Sequence, residues 1–150
     1  MRHILSALAL AITMMMTMPV MMPVSALAQS DIIETRKANF KQSGIAMRKM
    51  RGQLQNGDFE AISASAEKIA AWAAQMPDFF PVGSGPDQNK TDAKSAIWER
   101  FDAFTALAHN NEKAALALAK TAKSGDTSAI TAQMQAVGRS CGACHSQFKN

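Results

Sequence analysis

Apolar positions recur at three- and four-residue intervals through four segments of this chain, and Gly, Pro, Asp or Asn separates each segment from the next. That period belongs to helices buried along one face. The first segment spans about 31–54. Ile33, Phe40, Met47 and Leu54 stand seven apart and form one stripe, and Asp31 with Glu34 resembles a capping box at its start. Asn56-Gly57-Asp58 closes this helix and opens the next, because Gly57 suits a left-handed C-cap and Asp58 an N-cap. The second segment runs to about Gln75, with Phe59, Ile62, Ala66, Ile69, Ala73 and Met76 on its core face. Trp72 falls off that face and either meets a partner or covers the rim. The third segment opens near Thr91-Asp92 and reaches about Lys123, carrying Ile97, Phe101, Phe104, Ala108, Ala115 and Leu118. His109-Asn110-Asn111 interrupts it, which predicts a bend. Ser124-Gly125-Asp126-Thr127 then starts a terminal helix with Ile130, Met134, Val137, Cys141, Cys144, His145 and Phe148 on one side. No convincing strand is present. Two short connections and one long one predict an all-α, antiparallel up-down four-helix bundle.

The long connection is Pro77 to Lys90, with three prolines and two glycines. Phe79 and Phe80 within it call for burial, so the loop is expected to cross one end of the bundle and close a pocket. Two positions on the first helix stand out. Arg36, one turn before Phe40, either snorkels at the stripe's edge or meets an anionic group. Gly44 costs about 1 kcal/mol relative to Ala inside a helix and leaves room for a ring or a second helix.

Composition and charge narrow the setting. Arg2 and His3 precede an apolar run from Ile4 to Val24, and Ala26-Leu27-Ala28 resembles a signal-peptidase site. A secretory leader over 1–28, removed to leave one domain over 29–150, is the expectation. A membrane anchor is the alternative, but Pro19, Pro23, the A-x-A pattern and the lack of a flanking basic cluster favour cleavage. The net charge of +4 is modest, falls by one with Arg2, and comes from scattered residues, so nucleic acid is not an expected partner. No phosphate-binding glycine loop and no Ser/His/Asp set appears.

The candidate chemistry lies in Cys141-Gly142-Ala143-Cys144-His145, which reads C-x-x-C-H, the attachment signal of a c-type haem. On a helix the two cysteines are i, i+3 neighbours and His145 stands at i+4 from Cys141, so two thiols and an imidazole converge on one ligand. The thiols reach the two vinyl groups, and His145 enters as an axial iron ligand. A disulfide or a redox C-x-x-C remains as an alternative, the latter lacking its usual βαβ context. A sixth ligand would be Met or His. His109 has polar neighbours and reads as a surface residue. Of Met47, Met50, Met76 and Met134, Met47 is the best ligand candidate because it shares the stripe with Phe40.

Helices, export and a haem motif near the C-terminus together resemble the cytochrome c′ family. Arg36-Lys37-Ala38-Asn39-Phe40-Lys41, Phe79-Phe80-Pro81-Val82-Gly83, Ala96-Ile97-Trp98 and Val137 through Lys149 resemble that family's blocks in order. The resemblance implies one covalent haem c, Arg36 on a propionate, Phe40 over the distal iron face and Trp98 packed near the haem. Lys149 corresponds to a basic residue on the proximal side, unless it is simply a solvated terminal lysine. Phe148 stands where the family often has Tyr. The related c-556 type has Met where this chain has Phe40, so the resemblance implies five-coordinate iron. Expected ligands are NO and CO, in the periplasm, in a homodimer built on the first two helices to which Trp72 could contribute. A Met-ligated electron carrier with a redox partner protein is the alternative. A peroxidase-like enzyme lacks a distal acid–base pair.

Overall fold

The structure is a computed structural model that describes residues 26–87 and 89–150. The expected leader therefore falls almost wholly outside the described residues. Five helices follow in order: α1 Ala26–Gln55, α2 Phe59–Gln75, a 3-10 turn Met76–Phe79, α3 Ala96–Glu99, α4 Phe101–Ala122 and α5 Thr127–Phe148. α1, α2, α4 and α5 form the up-down bundle. The helix α1 does not begin at Asp31; it passes through that residue, and Glu34 pairs with Lys37 at 2.8 Å instead of closing a capping box.

Two short turns, one joining α1 to α2 and one joining α4 to α5, form because their residues suit reversal. Gly57 and Gly125 take φ of 70° and 71°, a left-handed backbone that a Cβ would strain. Asp58 accepts from Ala61 N, and Asp126 from Ser128 N and Ala129 N, which satisfies N–H groups that the first turns of α2 and α5 leave open.

The third expected helix is two. Residues 92–94 do not begin it, because their backbone groups serve the end of the chain. Lys94 N donates to Phe148 O, Asn150 N donates to Asp92 O, and Ala93 bridges Lys149 antiparallel. The four-residue α3 then stops at Arg100, whose φ of −133° and ψ of 50° break the helix. Phe101, expected in the core, sits at the first position after this break and is 39% exposed. The expected bend at His109–Asn111 is absent: α4 is continuous there, and Asn111 is buried at a core position. It follows Phe104 and Ala108 and precedes Ala115 and Leu118 at the same spacing, so it continues the stripe as a polar member.

Two clusters fill the interior. Met50, Ile62, Ala66, Ile69, Leu118, Ile130 and Val137 pack at the end with the short turns. Trp72, Met76, Phe80, Ile97, Phe104 and Phe148 pack under the crossing loop. Trp72 is 4% exposed and belongs to the second cluster, so the reading of it as a rim or partner residue is corrected. Ile69, Trp72 and Met76 are spaced three and four, which already placed it inward. Alanine-rich α2 and α4 make the bundle's most extensive contact, while α1 and α5 barely meet. Small side chains let the first pair close up. The second pair stands apart around a cavity. Among the described residues no helix is long and apolar enough to cross a membrane.

Candidate functional site

The cavity between α1 and α5 has a volume of about 800 Å³, within the roughly 300–1,000 Å³ usual for cofactor sites, and its wall is mostly apolar. Cys141, Cys144 and His145 line it from α5, and Phe40, Gly44 and Met47 from α1. The C-x-x-C-H residues thus meet one space from consecutive turns. The two thiols are free. Residues i and i+3 on a helix hold their Cβ atoms about 5–6 Å apart, beyond the roughly 3.5–4.5 Å a disulfide requires, so an intact α5 disfavours that alternative. Burial pushes the Cys141 thiol up, and a hydrogen bond from Asn111 pulls it part of the way back. Cys144 is pushed up to about 11 by burial and then by its neighbour Cys141. The imidazole of His145 is pushed down by burial, with the charge of Lys149 adding to the effect. A neutral imidazole is the form that ligates iron.

Phe40 faces His145 from the opposite wall, with ring centroids 6.3 Å apart. Trp72 meets Phe40 edge to face at 5.3 Å and holds its ring there. Met47 lines the same cavity two turns further along α1, about 10 Å from Phe40, and packs against the other cluster. A Cβ on Gly44 would meet only Arg48, at 3.5 Å, so the space this glycine leaves is part of the cavity.

Arg36 is 2% exposed and lines the cavity, neither snorkelling nor solvated. Its Nη1 donates to Phe79 O and Ser84 Oγ at 3.2 and 3.0 Å, and its Nη2 donates to Ser84 O and Thr91 Oγ1 at 2.9 Å each. The guanidinium carbon lies 4.4 Å from the Phe80 ring centroid. The four terminal N–H groups thus clamp the crossing loop, and burial pushes the guanidinium's pKa down. Among the described residues no carboxylate pairs with Arg36. A second donor is left over on the same cavity, since the buried indole N–H of Trp72 has no acceptor. A buried cation without a counter-ion and an orphaned N–H both suit a ligand that brings carboxylates. The residues present therefore fit a haem: two thiols, an imidazole, an apolar slot, and a buried guanidinium without a carboxylate partner beside one unanswered indole N–H.

Not every expected residue reaches this space. Phe80 lines the cavity, but Phe79 and Trp98 stand behind the wall. The Trp98 indole donates to Phe80 O and Pro81 O at 3.1 and 3.0 Å, so it holds the loop and not the ligand. Phe79 packs on Trp72, with centroids 5.3 Å apart. Lys149 lines the mouth and pairs with Asp92 at 3.6 Å. Asn111 and Trp72 also line the wall, although the expected core faces of their helices did not include them.

The family model described as Cytochrome C′ matches residues 31–149. A cytochrome c′ of Rhodospirillum rubrum is 44% identical over 84 residues, which is 56% of this chain and 56% of that protein. The chain thus spans little more than half of that relative's length. A cytochrome c-556 of Agrobacterium tumefaciens is 35% identical over 125 residues, 78% of this chain and 95% of its own. A solved cytochrome c′ described for its ligand-controlled dimer dissociation superposes with a TM-score of 0.73 at 27% identity, over 83% of this chain and 98% of that one. The cavity, its paired thiols and imidazole, and these likenesses together place the chain in the cytochrome c′ family, as a four-helix protein with covalently bound haem c.

Proposed function

We propose that this is a periplasmic haem protein whose iron has His145 as its only protein ligand and keeps the other axial position for small neutral gases, NO and CO. The observation that carries the reading is the Phe40 ring facing His145 across the cavity at 6.3 Å. Phenylalanine cannot ligate. Its ring, braced by Trp72, would lie over the face of the haem away from His145 and leave no side chain there to ligate. Water and anions gain little beside the apolar Phe40 ring, whereas NO and CO need no donor. Protection against NO is a role suited to such a site. In this reading Cys141 and Cys144 hold the haem through thioethers, and Arg36 and Trp72 face its carboxylates. The haem supplies the redox and gas-binding iron. The protein orients it, excludes water and restricts entry. It acts as a binder and one-electron carrier and not as an enzyme, exported with removal of residues 1–28.

The ligand-controlled dimer dissociation of a structural neighbour supports the reading of this chain as a homodimer; the interface in this reading is built on α1 and α2. Trp72 is buried within its own chain and does not contribute.

A second reading, a Met-ligated electron-transfer cytochrome, is favoured by the likeness to cytochrome c-556 and by Met47 on the cavity wall. The two readings separate cleanly. Phe40→Ala should raise the CO association rate roughly tenfold or more, as expected when about 1.4 kcal/mol of steric barrier is removed. An unchanged rate rejects Phe40 as the gate. A low-spin ferric spectrum with a methionine–iron band, lost in Met47→Ala, rejects the open axial position altogether.

A further inference from the structure

Asn111 is a buried polar side chain for which the haem reading has no use so far. It is 7% exposed, sits on the core face of α4 and lines the cavity. Its Nδ2 lies 2.8 Å from Ser140 Oγ and 3.4 Å from Cys141 Sγ. Which end of the amide faces Ser140 follows from chemistry. The Ser140 hydroxyl donates its only proton to Val137 O at 2.8 Å, so Ser140 Oγ faces Asn111 as an acceptor. The Asn111 amide must therefore donate, and its second N–H is directed at sulfur. Among the described residues Cys144 has no such contact. The two thiols of the motif thus stand in different settings, one braced from α4 and one not.

We propose that Asn111, itself fixed by Ser140, is a positioning residue that aims the Cys141 sulfur into the cavity so that both thioethers form. The inference rests on the covalent haem reading. The bond it serves forms when a thiol S–H adds across a vinyl C=C. The S–H bond and the π bond break, an S–C bond forms and the hydrogen goes to the other vinyl carbon, so no oxidant or reductant is needed. Before and after that addition the sulfur keeps lone pairs that accept from Asn111. Holding one rotamer of Cys141 raises the fraction of time its sulfur stands where the vinyl group arrives. Placing a polar side chain on an otherwise apolar stripe disfavours core packing, and only the Ser140 and Cys141 partners compensate it.

The test uses full-length protein matured with haem in a periplasm. Denatured holoprotein is digested, and the haem peptide is read by mass spectrometry and by its pyridine haemochrome band, which moves to the red when one vinyl stays conjugated. Wild type should carry two thioethers. Asn111→Leu, close in volume but without a donor, should put at least a tenth of the holoprotein into a form joined through Cys144 alone. Asn111→Gln, which keeps the donor, should recover most of the two-thioether product. A purely structural role would lower the yield of holoprotein without changing this ratio. If Asn111→Leu holoprotein is all two-thioether, or if Gln and Leu variants show the same ratio, the proposal is overturned. Should Asn111→Leu fail to accumulate, Ser140→Ala removes the brace from a half-exposed helix position; it should give a smaller shift of the same kind, and an unchanged ratio would equally overturn the proposal. Wild type without any covalent haem would instead reject the haem reading itself.

Discussion

The two ends of this bundle are built on different principles. At the short-turn end, Met50, Ile62, Ile69, Leu118, Ile130 and Val137 are buried together, and aliphatic packing holds them. At the loop end, Trp72, Phe80, Phe104 and Phe148 meet at ring angles and distances set by the crossing loop and the chain's last residues. The first end has its helix starts capped by Asp58 and Asp126. The second retains a buried guanidinium without a counter-ion and an indole N–H without an acceptor among the described residues. The cavity runs between them, with Cys141 packed on the aliphatic cluster and Cys144 on the aromatic one. The difference suggests a division of labour: one end makes the bundle, and the other is completed by what binds in it.

Matched truncations would break that division most sharply. Leu118→Ala should cost about 2–5 kcal/mol of stability and Phe104→Ala about 3–5. Leu118 is fully buried but does not line the cavity, while Phe104 does both and contacts Phe80 at 4.7 Å and Phe148 at 5.5 Å. Chemical denaturation measures the cost, and the haem absorption spectrum measures where it falls. The spectrum should change in Phe104→Ala and stay as wild type in Leu118→Ala. Equal spectral change in both would mean that the two clusters act as one core.

The same contrast explains what could be read from the sequence. The aliphatic end was legible because its residues obey one rule, helical spacing with a capped turn at each reversal. Ile62, Ala66, Ile69, Leu118, Ile130 and Val137 all fall where that rule puts them. The aromatic end resisted because its contacts come from residues far apart in sequence. The α3–α4 break cannot be inferred from residues 92–100 alone, since the end of the chain takes their hydrogen-bonding groups. Trp98 and Arg36 likewise turned out to serve the loop, through partners between 17 and 55 residues away. Asn111 failed for another reason. Its spacing was correct for the core, and its polarity argued for a bend. What made it tolerable there was Ser140 and Cys141 on another helix. The C-x-x-C-H motif was legible without any fold, because its chemistry is local.

Arg36 offers a test of intermediate size. Arg36→Met removes four donors and leaves the carbonyls of Phe79 and Ser84 and the hydroxyls of Ser84 and Thr91 with one partner fewer. A loss of about 2–3 kcal/mol is expected, since only part of the unsatisfied cost of roughly 1–3 kcal/mol per group is relieved by removing a buried charge. The effect should concentrate on the crossing loop. Limited proteolysis should cut between residues 79 and 91 faster in the variant, with the α2–α4 pair still protected. Arg36→Lys should not rescue, because an ammonium cannot span four acceptors while stacked on Phe80. Full rescue by Lys would show that charge, and not the planar fork, is what the loop end requires.

The smallest expected effect belongs to the aliphatic end and checks that it is held by ordinary helix physics. Asp126 accepts from Ser128 N at 2.9 Å and Ala129 N at 3.0 Å, two of the N–H groups that α5 cannot satisfy internally. Its negative charge also faces the positive end of the helix dipole. Asp126→Ala should therefore cost about 1 kcal/mol, read as a lowered denaturation midpoint at unchanged slope. Asp126→Asn keeps the acceptor and loses the charge, so it should recover more than half of that. Asp58, with a single longer bond of 3.2 Å to Ala61 N, should cost less when replaced by Ala. The haem spectrum should be the same in all three variants, because these turns lie at the far end of the bundle from the crossing loop. A spectral change in Asp126→Ala would mean that fraying at the start of α5 reaches Cys141 four turns away, and the two ends would then be coupled through the helix that carries the haem motif.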